Sequence, residues 1–238
     1  MTLLDILKDL TYGELADLHI GGLIPGESDN EPDPHQYEQI IGYINMGLNE
    51  LYKRFLLKTR EIYVEQRAEV ALYKLHSDYS FVNTASAIPE VDRYIIDSVD
   101  APFLDDVLKI EEIYDEEGNK LPMNDYTEDL SVFTPSFNVI QVPYPQDNVT
   151  IAVQYRATHP KIVADVNSEA DQIEVELPNS LRDALLYFVG SRAHRATHTE
   201  KSADYWQMYK RACDDVDMYG LEVQGEPGDW RFDDKGWI

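Results

Sequence analysis

Apolar positions along this chain change their spacing twice, from helical to alternating and back again. Residues 1–20 read as two short helices, the first capped by Thr2 and the second by a capping box of Thr11 with Glu14. Gly21 and Gly22 end the second, and residues 24–35, rich in Pro, Gly and acid, read as a loop. Asp33 as cap, Pro34 at the first helical position and Gln36 completing the box then open a longer helix. Tyr37, Ile40, Ile41, Ile44, Leu48, Leu51, Tyr52 and Phe55 recur at steps of three and four, which predicts one buried face over 35–57. Gly42 and Gly47 each cost that helix about 1 kcal/mol relative to Ala, so packing must hold it, and both permit close helix approach.

Past Arg60 the period falls to two. Ile62, Val64, Gln66, Ala68, Val70 and Leu72 lie on one side of that alternation, so 61–75 predicts one or two strands. Residues 107–114 followed by 115–121 predict a hairpin with Gly118 at its turn. Residues 138–144 and 148–158 are two further strands, with Pro143 and Pro145 pushing the first toward a sheet edge. After Pro178 helical spacing returns, with Ser180 and Asp183 as a capping box. Leu181, Leu185, Phe188, Val189, Arg192, Ala193 and Ala196 mark one face. A polar break at 197–202 is followed by Trp206, Tyr209, Cys213, Val216 and Tyr219, ending near Gly220. The expected fold class is therefore α+β: N-terminal helices (1–59), a β-rich middle (60–176), C-terminal helices (177–221) and an extended tail (222–238).

Charge narrows the function. With 45 acidic and 20 basic residues the net charge is −25, which argues against coating nucleic acid or adhering to an anionic membrane. The 43% hydrophobic content supplies a core, and a single cysteine, Cys213, excludes a disulfide framework or a cysteine-built zinc site. Asp5 and Asp9 interrupt the opening apolar stretch, so no signal peptide is expected, and no run nears the roughly 18 apolar residues of a membrane span. The expectation is a soluble protein made inside the cell. Acid is concentrated at 90–130, with 14 acidic and 3 basic residues, whereas 181–221 is neutral with six of each. One face or arm with a strong negative field is expected.

Candidate chemistry is thin. His194 and His198 have ligand-like spacing, but the sequence H-R-A-T-H lacks the Glu a zinc hydrolase needs, and Arg195 opposes a cation. They read as surface or interface histidines. Adjacent acids at 105–106, 111–112, 116–117, 214–215 and 233–234 read as solvated charge. No nucleophile elbow or phosphate-cradling loop is present, so no catalytic residue, metal or cofactor is expected. Trp230, Phe232, Trp237 and Ile238 sit in a tail that cannot form its own core: it folds back, it anchors in a partner's groove, or it stays disordered.

Leu177-Pro178, the run Ser180-Leu181-Arg182-Asp183-Ala184-Leu185-Leu186 and Ser191-Arg192-Ala193, with the opening TYGELADLHIGG and the helix end GLNELYKRFLLK, resemble the head-to-tail adaptor (connector) proteins of tailed bacteriophages. The resemblance spans most of the chain in order of elements. It implies a helical bundle with a β-rich insertion, a twelvefold ring docking under the portal protein, and no enzymatic activity. It also implies a C-terminal segment reaching the portal, here Trp230, Arg231, Phe232, Trp237 and Ile238. Expected partners are the portal, a downstream tail or nozzle protein, the chain itself and passing DNA without specific binding. The expected location is the virion's head–tail junction, after assembly in the host cytoplasm. Within such a ring, Arg192, His194, Arg195, Lys210 and Arg211 are expected at the subunit interface. Asp105, Asp106, Glu111 and Glu112 are expected on an acidic face or channel wall, where like charge keeps DNA sliding. The alternatives are a tail-completion or nozzle protein, an acidic hydrolase and a carbohydrate-binding module.

Overall fold

A computed structural model describes residues 1–18, 33–165 and 168–220. The protein is α+β, with four α-helices and two antiparallel sheets among the described residues. It divides into two units, one of residues 1–56 with 161–238 and one of residues 57–160.

The first unit is helical. Helix α1 (Leu3–Tyr12) starts with a full capping box, in which the Thr2 hydroxyl accepts from the Asp5 N–H and the Asp5 carboxylate accepts from the Thr2 N–H. Among the described residues up to 18, no second α-helix follows. The Thr11 hydroxyl donates to the Leu7 carbonyl (2.7 Å) instead of capping, Gly13 ends α1, and only a 3₁₀ turn forms at Ala16–Leu18. Helix α2 (Pro34–Arg54) opens as expected on Asp33 and Pro34, although the Asp33 side chain accepts from the His35 N–H without a box to Gln36. Every member of its predicted stripe is buried.

Helix α3 (Arg182–His194) packs against α1, α2 and α4 (Thr199–Tyr219). That central position explains why burial extends beyond the single predicted face to Ala184, Leu186, Gly190 and Ser191. Its predicted capping box is absent: a 3₁₀ turn at Asn179–Leu181 leads in, and no side chain caps the helix. Gly47 lets α2 approach α3 closely, since a Cβ there would lie 2.7 Å from Leu185 Cδ1. Around Gly42 the same space is open. Arg182 binds Asp9 (Nε–Oδ2 2.6 Å), and Arg54 forks to Asp214 (2.7 Å) and Asp217 (2.5 Å).

The second unit is built on β1 (Thr59–Glu65), β2 (Leu72–Lys74), β3 (Ile95–Ile96), β4 (Val107–Tyr114), β5 (Phe133–Ser136), β6 (Val139–Gln141) and β7 (Thr150–Ala157). One sheet has order β3-β1-β7-β4 and the other β2-β6-β5. The alternation of β7 turns Ile151, Val153, Tyr155 and Ala157 into the core. The alternation predicted across 61–75 breaks at a turn closed by Val70 N–H on Arg67 O (2.9 Å). Beyond that turn Tyr73 and Leu75 point inward and Leu72 is exposed. Strand β6 is central rather than an edge, because it ends at Gln141 before either proline can remove a ladder donor. Gly118 turns the chain after β4 at φ +81°, and the bridge Tyr114–Lys120 closes that hairpin.

Candidate functional site

The expected interface residues lie on α3, α4 and the turn between them, and they do not share one environment. Arg192 lies over the Phe188 ring (5.1 Å) and Lys210 over Trp206 (5.6 Å), while those two rings are 6.2 Å apart. Two cations thus flank one inter-helix aromatic pair, each favoured by the ring's negative face. Arg195 and Arg211 are exposed.

His194 departs from expectation. Its side chain is wholly buried, so it is not a surface histidine. Nε2 donates to the Glu14 carbonyl (2.9 Å) and lies 3.5 Å from Asp17 Oδ1, with the Tyr205 ring stacked at 5.4 Å. It therefore pins the segment after α1 to α3 and α4, helped by the ion pair of Lys201 with Asp17. His194 Nδ1 and Glu14 Oε2 are buried without a hydrogen-bond partner. Burial raises the Glu14 carboxyl above its usual range, and Asp9 and Asp183 add to that through their charge. Sequence reasoning missed this cluster, because its members lie in separate parts of the chain.

The four expected wall carboxylates are mostly compensated within their own unit. Asp106 pairs with Arg60 (3.0 Å) and accepts from the Tyr155 hydroxyl (2.9 Å). Glu111 pairs with Lys109 (2.6 Å) and Arg156 (3.0 Å). Glu112 pairs with Lys120 (2.5 Å) and accepts from the Tyr114 hydroxyl. These bonds hold the Glu112 carboxyl below its usual range. Asp105, at φ +56°, is exposed but accepts from the Ser77 N–H (2.6 Å) and hydroxyl (2.5 Å). Asp106, Glu111 and Glu112 thus each meet a cation of their own unit, whereas Asp105 accepts from neutral donors. The unit carries 19 acidic and eight basic residues across 57–160. Asp97 has an internal task as well, accepting from Ser80 Oγ (2.6 Å), Val82 N–H (3.2 Å) and Phe103 N–H (3.0 Å). It thereby organises an irregular stretch that no periodic pattern signals.

The expected docking residues Trp230, Arg231, Phe232, Trp237 and Ile238 lie outside the described residues. Among the described residues, no group of three or more His, Cys, Asp or Glu side chains is placed to hold a metal ion. No described helix is long and apolar enough to cross a membrane.

The family model described as SU10 adaptor protein matches residues 10–229. Among curated proteins, none matches the chain.

Proposed function

Since the chain belongs to the SU10 adaptor protein family, a family of phage structural adaptors and not a known enzyme family, we propose that it forms a ring between portal and tail at the head–tail junction of the virion, with a central passage for DNA. The observation that carries this reading is the match over 10–229, nearly the whole chain. In this reading the N- and C-terminal helices form the bundle that meets neighbouring subunits, and the β-rich segment is an insertion in it. Closure into a ring, twelvefold in the proposal, needs two different faces on each subunit. The exposed Arg195 and Arg211, with Arg192 and Lys210 on their aromatic pair, belong to one such face. His194 serves the interior of the subunit and supports that face only indirectly. The net charge of −25 favours a passage that DNA slides through without adhering.

Trp230, Phe232, Trp237 and Ile238 are the proposed anchors to the portal, with Arg231 among them. Deleting 222–238 should abolish capture by purified portal protein while circular dichroism and thermal unfolding stay unchanged. Capture at unchanged affinity would reject the anchor. Capture of a purified nozzle protein in place of the portal would favour a tail-completion role.

A further inference from the structure

The β-sheet unit carries an ordered aromatic surface that the adaptor reading leaves unused. Residues 123–132 form a closed loop, in which Asn124 N–H donates to Val132 O (2.9 Å) and Val132 N–H to Pro122 O (2.9 Å). Asp125 N–H donates to the hydroxyl of buried Ser131 (3.0 Å), and the Asp125 carboxylate accepts from the Thr127 N–H (2.9 Å) and hydroxyl (2.6 Å). The loop has therefore already lost the freedom that binding would otherwise remove. On this frame Tyr126 is 90% exposed and lies against Phe133 at 4.8 Å, and Leu130 is exposed too; Phe137, in the turn between β5 and β6, is exposed at the groove. A groove of about 370 Å³ reaches the loop at Met123 and Asn124, with Ile110 and Phe137 also lining it. The Tyr126–Phe133 pair beside the groove, on a hydrogen-bonded frame, offers an apolar contact surface.

The groove runs between β4 and β5, each the outer strand of its sheet, yet both edges are blunted. Strand β4 has two register shifts, and β5 contains Pro135, which has no N–H to offer. Recognition by an added strand is thus disfavoured, and side chains must carry it.

Charge selects the occupant. Asp125, Glu128 and Asp129 stand exposed on the loop, no Lys or Arg occurs from 121 to 138, and Lys109, which also lines the groove, is paired there with Glu111. The chain's own segments outside the structure repel this surface: 19–32 holds three acids and no Lys or Arg, and 221–238 holds five acids and two bases. A second copy brings −25 overall. Its run 53–60 has Lys53 paired with Glu50, Arg54 with Asp214 and Asp217, and Arg60 with Asp106, and its exposed Arg195, Lys210 and Arg211 make a second copy the outcome that the oligomeric state below must exclude. We propose that the loop 123–132, with Phe133 and Phe137, docks a basic segment of a different protein. An aliphatic or aromatic side chain of that segment enters the groove, its Lys or Arg groups meet Asp125, Glu128 and Asp129, and a guanidinium lies on the Tyr126 ring. The proposal does not depend on the ring, because it rests on this unit's surface alone.

The test uses the full chain and a fluorescein-labelled peptide alternating Arg with Leu and Tyr, followed by anisotropy. Binding is expected to weaken severalfold between about 50 and about 300 mM salt, and the peptide with Glu for Arg should not bind. Tyr126→Ser with Phe137→Ser should weaken binding about tenfold, while Val91→Ser, 75% exposed on the same unit, should leave it unchanged. Glu128→Gln with Asp129→Asn, which touches no apolar group, should weaken it about threefold and flatten the salt dependence. Wild-type affinity in both double variants, or an equal loss in Val91→Ser, would overturn the proposal. So would a change in oligomeric state of the Tyr126/Phe137 variant with peptide binding intact, since the surface would then join copies of this chain.

Discussion

Two glycines of one helix show how far a residue's surroundings decide its role. Gly47 sits where a side chain would strike Leu185 and Phe188, so Gly47→Ala should cost about 1–3 kcal/mol by overpacking. Gly42 faces open space, so Gly42→Ala should add about 0.5–1 kcal/mol of helix propensity. Urea denaturation of both variants reads the opposite signs, and equal effects would refute the packing account. The stripe of α2 was legible because one face of a helix buries at a fixed period. The burial of His194 was not, because its carbonyl acceptor, Glu14, lies 180 residues away in sequence. That cluster has a pH signature. The Glu14 carboxyl is raised in the fold, so the folded state holds its proton more tightly than the unfolded chain does. Its contribution is present below the ordinary value of 4.5 and is lost as pH rises through the folded value. Glu14→Gln should therefore gain stability relative to wild type as pH rises above 4.5, read from urea midpoints of the two proteins side by side. A gap that stays flat with pH would remove Glu14 from the account.

Elements were legible where pattern and chemistry are local. Thr2 caps α1 and Asp33 with Pro34 opens α2, because a cap needs only its neighbours. Thr11 carried a similar signal and failed, since its hydroxyl turned back to the preceding turn of α1. Thr2→Ala should cost about 0.5–2 kcal/mol, whereas Thr11→Ala should be close to neutral, in thermal unfolding. Similar losses at both positions would contradict these assignments. Strands β1 and β7 followed their alternation, β4 buries Val107, Ile110 and Ile113 at steps of three across its two register shifts, and two-residue β3 and four-residue β5 are too short to show a period. Strand order was not legible at all, because pairing depends on partners distant in sequence: β1 pairs with β7, 85 or more positions along the chain, as in Glu65 opposite Thr150. The docking loop left only a trace in the sequence, as Tyr126 and Phe133 flanking acids. Its order comes from Ser131 and Asn124, residues that carry no periodic signal.

At the scale of the whole molecule, charge and family carry the account. The net charge of −25 is uneven in its use: Asp106, Glu111 and Glu112 are compensated inside their unit, and loop carboxylates such as Glu128 and Asp129 stand in solvent. Part of the negative field of the β-sheet unit therefore comes from its turns and loops. The acidic total was legible from composition, but which acids remain uncompensated was not, because ion pairs such as Arg60 with Asp106 form only in the fold. The most direct test of the adaptor role is quantitative mass spectrometry of purified virions, with antibody labelling by electron microscopy. A one-to-one ratio to the portal protein and label at the head–tail vertex are the predicted result. Absence of the chain from the particle would contradict the structural role altogether.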